Sequence, residues 1–510
     1  MQAITIRANL TENTIKMKLS KFIVITGVLL STIHYANSQN RLVTYPAPEG
    51  ADLMNDFTVK VRETGKDWKP VDTYLVKVDE VRNIKHHVER ASMSYFDFSG
   101  EVEVSVTFNH GAIQSGRVRP LSYGITPTIT NNTMTFKLNR PRNLSVEVNG
   151  DIFHNLHLFA NPIDENKPRK LKDRNLIYFG PGVHHLPGDT LNVPSGKTVY
   201  VAGGAVIKGR IQVVDAQDVK ILGRGLVLPE RWAGIRIVHS KNVLVEGLIT
   251  TQCPTGGSDS ITIRNLKVIS SYGWGDGQWM RDWEERMTAA GATVLNGEGL
   301  ICQETPDGVF CRNSDDCTTV YGTRMGFTGG CKNITMQNST LWADVAHPIF
   351  IGIHGNVENP EILENLNYIN IDILDHKEKQ LDYQGCLAIN TGDNNLIRNV
   401  RFENIRIEDF RQGQLVNLRI FFNEKYCKAP GRGIENILFK DISYTGKDAE
   451  VSMIIGYDKE RKVKNIRFEN LTINGEVIYD DMPEKPKWYK TGDMARIFVG
   501  EHTEEVTFSK

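Results

Sequence analysis

The chain carries almost no net charge: 60 Lys and Arg against 61 Asp and Glu leave −1 at pH 7. A surface so balanced exerts little pull on nucleic acid or an anionic membrane, and neither is expected as a partner. Past the first forty residues no run reaches the ~18 consecutive apolar residues of a membrane helix, so a soluble mature protein is expected. Cysteine is scarce. The seven (Cys253, Cys302, Cys311, Cys317, Cys331, Cys386, Cys427) are an odd number, poor material for a disulfide framework. No C-x-x-C pair suggests zinc, and no constellation implies a metal or cofactor. Buried thiols are the expected state, with a Cys311–Cys317 bridge as the weaker alternative. Proline is also sparse, 19 against 44 glycines, which suits a fold of many tight turns. The 40% apolar content excludes disorder, and 510 residues exceed one ordinary compact domain.

The first residues read as a leader. Met17-Lys18-Leu19-Ser20-Lys21 is basic, residues 22–33 are apolar, and Ala36-Asn37-Ser38 fits a cleavage site. Residues 1–38 are therefore expected to be a signal peptide, with Met17 as its start and a secreted or periplasmic product. Residues 40–160 alternate apolar and polar at 57–61, 102–108 and 133–137, with turn signals at Asn131-Asn132 and Asn149-Gly150. That spacing predicts an antiparallel β-sandwich. Residues 161–175, rich in Lys, Asp and Pro, read as a linker.

From residue 176 to the C-terminus the pattern is a repeat. Asn333-Ile334-Thr335-Met336-Gln337-Asn338 recurs as Asn365–Asn370, Asn399–Asn404, Asn436–Asp441 and Asn465–Asn470. The first asparagines, Asn333, Asn365, Asn399, Asn436 and Asn465, fall at nearly even intervals. Repeats of this length with apolar residues at period two predict a β-solenoid, the apolar side chains inward and the asparagines at corners. A ladder of asparagines along the axis is expected. Residues 273–306 break the repeat as an insertion, and Trp274, Trp279 and Trp283 within it are candidates for stacking on a sugar ring.

Asp315-Asp316 is the chemical clue. Glycoside hydrolysis needs one carboxylic acid to protonate the leaving oxygen and one carboxylate to activate water or to attack. Neighbouring carboxylates push their pKa values apart, so one stays protonated. Adjacent residues of a regular strand face opposite ways, so both reach one cleft only where the chain bends; Asn313-Ser314 makes a bend plausible.

Asn313-Ser314-Asp315-Asp316-Cys317 resembles the N-x-D-D-C element of glycoside hydrolase family 28, the polygalacturonases. Family 49, the dextranases and relatives, has a similar element. Ala346-His347-Pro348-Ile349-Phe350-Ile351-Gly352, whose histidine comes about one repeat beyond Asp316, is similar to the family 28 histidine element. The resemblance implies a right-handed parallel β-helix, an inverting mechanism and a carbohydrate substrate. Asp315 or Asp316 is then the general acid, the other joins a third aspartate in activating water, and His347 orients or tunes the acid. The third aspartate is expected at Asp276, in a strand-then-D-G context, or at Asp307. The R-I-K element that binds a uronate carboxylate is replaced by Ala388-Ile389-Asn390, which favours a neutral sugar and a dextranase-like activity; Arg419 is the candidate substitute if the sugar is acidic. The alternatives are a polygalacturonase-like hydrolase and a non-catalytic carbohydrate-binding β-helix.

Overall fold

The computed structural model describes residues 40–82, 85–230, 233–270, 294–295, 301–303, 308–324 and 326–510. The expected leader and nearly all of the insertion lie outside the described residues. Within them the protein is built almost wholly of strands.

The first part is two sheets face to face. Phe57–Glu63, Lys69–Val71, Val102–Phe108, Thr128–Thr130 and Thr133–Leu138 form an antiparallel five-stranded sheet. The other sheet contains Arg41–Thr44, Tyr74–Arg82, Lys85–Ser99, Gly116–Arg119, Arg142–Val148 and Asp151–Pro162. Alternate residues of the first, Val59, Val61, Val104, Val106 and Phe136, meet Phe96, Phe98, Leu144, Val146 and Leu158 of the second in one core. Period-two alternation was the sequence signal, and it falls where expected. The expectation of a purely antiparallel sandwich is corrected at one pair. Lys85–Ser99 and Asp151–Pro162 run parallel, with Leu156 beside Ser92 and Phe159 beside Tyr95. These strands are far apart in the chain, which builds part of the opposite sheet before returning, so no hairpin forces them antiparallel. The last strand also runs to Pro162, just into the expected linker.

From Leu176 the chain winds into a parallel β-helix whose strands pair coil on coil in one continuous 30-stranded sheet. The repeat's two apolar positions point inward. Ile334, Leu366, Val400, Ile437 and Ile466 stack in register, as do Met336, Tyr368, Phe402, Phe439 and Phe468. The rings of Tyr368, Phe402, Phe439, Phe468 and Phe508 form a column with centroids 5.3, 4.9, 4.7 and 4.7 Å apart. The corner asparagines adopt the left-handed conformation that lets the strand turn, with φ of 58, 58, 56, 58 and 53° at Asn333, Asn365, Asn399, Asn436 and Asn465. Their amides form the expected ladder. Each donates to the residue one coil before it, at 3.2, 3.3, 3.1 and 2.8 Å.

The two-sheet part packs on the helix. Tyr74, Met93, Tyr95 and Phe159 meet Val206, Leu226, Ile249, Ile269 and Phe310 in an apolar seam. Buried polar pairs flank it: Arg224 with Asp97 at 3.0 Å, and Arg119 with Glu408 at 2.7 Å. Cys253, Cys311, Cys317, Cys331, Cys386 and Cys427 are free and buried. Cys317 Sγ points at the Cys311 carbonyl, 3.8 Å away, so the bridge weighed there is not formed.

Candidate active site

The site is a stack of turns. Phe310–Asn313 and Thr318–Tyr321 are consecutive strands of one coil; Thr340–Ala343 and Ile349–Gly352 are their counterparts in the next. The turn holding Asp315 and Asp316 therefore lies directly against the turn holding His347. Backbone bonds fasten them: Cys317 N–H to the His347 carbonyl and Asp344 N–H to the Asn313 carbonyl, both 2.8 Å. The chain bends between the strands, as the Asn-Ser signal implied, and both carboxyls are buried (3 and 0% exposed).

Asp316 is clamped by His347. Its Oδ1 accepts the His347 backbone N–H at 3.0 Å and faces Nδ1 at 2.7 Å, while the imidazole Nε2 faces the Tyr383 carbonyl at 3.0 Å. A carbonyl accepts only, so Nε2 carries a proton. Nδ1 opposite a carboxylate oxygen that already takes an N–H is best served by a second proton, which makes the ring an imidazolium. Burial opposes that charge, but the Asp316 carboxylate and its hydrogen bond outweigh burial and raise the His347 pKa. The ring stacks on Phe350 at 4.7 Å and meets Tyr383 edge-on at 4.8 Å. Ala346, just before it, has φ 65°, a strained value for a residue with a Cβ.

Asp315 is the opposite case. Its Oδ1 accepts the Asp316 N–H at 2.8 Å, but its Oδ2 is buried with no partner among the described residues. Burial, then the charge of Asp316, pushes its carboxyl well above the usual carboxylate range. Asp315 is thus the carboxyl of the pair whose surroundings favour the protonated form, beside a clamped partner. The buried polar atoms of Asn313 and Ser314, the Tyr383 hydroxyl and Gln384 Oε1 are likewise unpartnered. Buried polar groups are rarely left so, and a concentration of them marks a place for water or a hydroxyl-rich ligand.

A polar brace holds the strands below. Arg312 donates to both oxygens of Asp344 at 2.8 and 3.0 Å and to Asn155 of the two-sheet part at 2.8 Å. Its guanidinium lies 3.9 Å over the Trp342 ring. Sequence reading gave no hint of it.

Of the other expected residues, Asp276, Asp307, Trp274, Trp279 and Trp283 lie outside the described residues. Arg419 sits on the outer face two coils past the His347 coil, in register with Asn390 and Gly352. It donates to the Asp382 carbonyl at 2.9 Å and lies 5.7 Å over Phe421. The same face carries Ala388 beside Phe350, and Asn390, whose amide donates to Asn417 at 2.7 Å. Sequence reading missed Glu378, buried in the next turn of the stack. It belongs to none of the motifs that carry the resemblance. The available signal was spacing: the step along the chain from Asp316 to His347 equals the step from His347 to Glu378.

No family model matches the chain. Among curated proteins it aligns with the flavodoxin of Clostridium beijerinckii, 48% identical over 50 residues, 10% of this chain and 36% of that protein. With the flavodoxin of Megasphaera elsdenii it is 32% identical over 96 residues, 16% of this chain and 61% of that protein. The chain thus spans less than two thirds of either. Among solved structures it is similar to a family 28 exopolygalacturonase of Yersinia enterocolitica, at 10% identity over 80% of this chain and 96% of that one, TM-score 0.42. It is also similar to Dex49A from Penicillium minioluteum, at 11% identity over 91% of this chain and 96% of that one, TM-score 0.57. At such identity the likeness is one of fold.

Proposed function

We propose that the chain is a secreted, inverting glycoside hydrolase acting on an α-linked neutral polysaccharide or oligosaccharide, dextranase-like in its chemistry. The observation that carries the reading is the geometry of the acid pair: Asp315 buried with a free oxygen, Asp316 held by His347. Asp315 gives its proton to the glycosidic oxygen as the bond to the anomeric carbon breaks. Asp316, together with a third carboxylate, holds the attacking water on the opposite face. The water oxygen bonds the anomeric carbon, the third carboxylate takes its proton, and Asp315 is reprotonated from solvent. His347 fixes the orientation of Asp316 and balances its charge.

The neutral-sugar reading is supported by the outer face next to the site, where Ala388 and Asn390 offer no cation for a uronate. The test is reducing-end release from dextran and polygalacturonate side by side. Release from dextran is expected. Release from polygalacturonate alone transfers the reading to a polygalacturonase-like enzyme with Arg419 binding the carboxylate. Binding without release from either identifies a carbohydrate-binding β-helix and overturns the hydrolase.

A further inference from the structure

We infer that Glu378 is the third carboxylate of this site and the base that takes the proton of the attacking water. The inference rests on the hydrolase reading and names a residue that the resemblance did not supply.

Asp316 and His347 occupy equivalent places in successive turns, each just before paired strands, and Glu378 lies in the longer turn that follows in the next coil. The turn of Glu378 is fastened to that of His347 at several points. Ala346 N–H donates to the Lys377 carbonyl at 2.9 Å, and His376 Nδ1 donates to the Ala346 carbonyl at 2.8 Å. His347 Nε2 donates to Tyr383 at the far end of the same turn. Glu378 is therefore on the His347 side of the acid pair, and its charge is felt at both His347 and Asp315.

The side chain is poised rather than spent. Glu378 is buried and accepts the Gln380 N–H at 2.8 Å; it forms no ion pair with Lys or Arg among the described residues. Gln384, fully buried, donates from Nε2 to the Glu378 carbonyl at 3.0 Å and leaves Oε1 without a partner among the described residues. That orphaned oxygen and the orphaned Tyr383 hydroxyl on the same turn are the separate sign that water or substrate belongs here.

The chemistry separates Glu378 from Asp316. Asp316 accepts two N–H bonds from His347 on one oxygen, so that oxygen is occupied and not free to take a proton from water. Burial, with the charge of Asp316 adding to it against His347, raises the Glu378 pKa, as a base working near neutral pH requires. One proton leaves Asp315 for the leaving oxygen and one leaves water for Glu378. The glycosidic C–O bond breaks as the new C–O bond forms, and no other reactant is needed.

The experiment uses the full chain, the polysaccharide that wild type hydrolyses, and azide. Glu378→Gln keeps an oxygen for the Gln380 N–H and is expected to fold, checked by circular dichroism, with turnover down at least a hundredfold. In Glu378→Ala, azide is expected to restore turnover and give a glycosyl azide of inverted configuration; in Asp315→Ala it is not. Turnover of Glu378→Gln within threefold of wild type, or no azide rescue of Glu378→Ala, overturns the inference while the hydrolase stands. A wild type inactive on every polysaccharide overturns the hydrolase and the base together.

Discussion

Arg312 holds Asp344 in a two-pronged, fully buried ion pair that joins successive coils directly beneath the acid pair and His347. Asp344 lies shortly before His347 in the chain, and Arg312 lies the same step before Asp315. The same guanidinium reaches Asn155, so the two-sheet part is tied to the strands that deliver the site.

Breaking that pair leaves buried Asp344 with only the more distant Arg411, 3.7 Å away. Arg312→Met is expected to cost about 3–5 kcal/mol in urea unfolding. The double variant Arg312→Met with Asp344→Leu is expected to recover much of that loss, because neither charge is then stranded. A single variant as stable as wild type would contradict the role given to the brace.

Asp315 ties stability to pH. Its folded-state pKa is raised, so the folded chain holds a proton that the unfolded chain releases. Its stabilising contribution is complete below the unfolded carboxyl pKa of about 4 and is lost as pH rises through the folded value. Asp315→Asn removes this dependence. Urea midpoints at pH 4, 5.5 and 7 are expected to show the variant gaining on wild type as pH rises; a constant difference would refute the protonated state.

His347 carries the reverse charge. Its raised pKa makes its contribution to stability complete below the unfolded histidine value of about 6.5 and lost as pH rises through the folded value. On the hydrolase reading, turnover falls along the same alkaline limb. His347→Gln is expected to remove that limb and lower turnover about a hundredfold. A pH profile unchanged in the variant would separate His347 from Asp316.

The corner ladder gives a test of the coil. Asn436 has φ 58°, donates to Asn399 at 3.1 Å and accepts from Asn465 at 2.8 Å. Asn436→Ala must hold a Cβ in the left-handed region at a cost of about 1–2 kcal/mol, which Asn436→Gly avoids. Thermal unfolding is expected to rank glycine above alanine.

The helix was legible because each coil must satisfy the next: Ile437 and Phe439 repeat Val400 and Phe402, and the asparagines mark the corners. Asp316 and His347 were legible through their motifs, and the structure sets them 2.7 Å apart. The parallel pairing of Lys85–Ser99 with Asp151–Pro162 was not, since alternation fixes which face is buried but not which strand lies alongside. Arg312 and Asp344 read as ordinary surface charges until a second layer covers them. Glu378 was hidden because it belongs to no motif; only the folded turn, bonded through Lys377 and Tyr383, brings it beside the turn of His347.

The central claim is that Asp315 is the proton donor of a hydrolytic site. The direct measurement is reducing-end release by wild type and Asp315→Asn on the same polysaccharide, with circular dichroism of both. Asparagine matches the shape of the protonated carboxyl, so the fold is expected to be kept while turnover falls by ~10²–10⁴. A folded Asp315→Asn that turns over as fast as wild type would contradict the account.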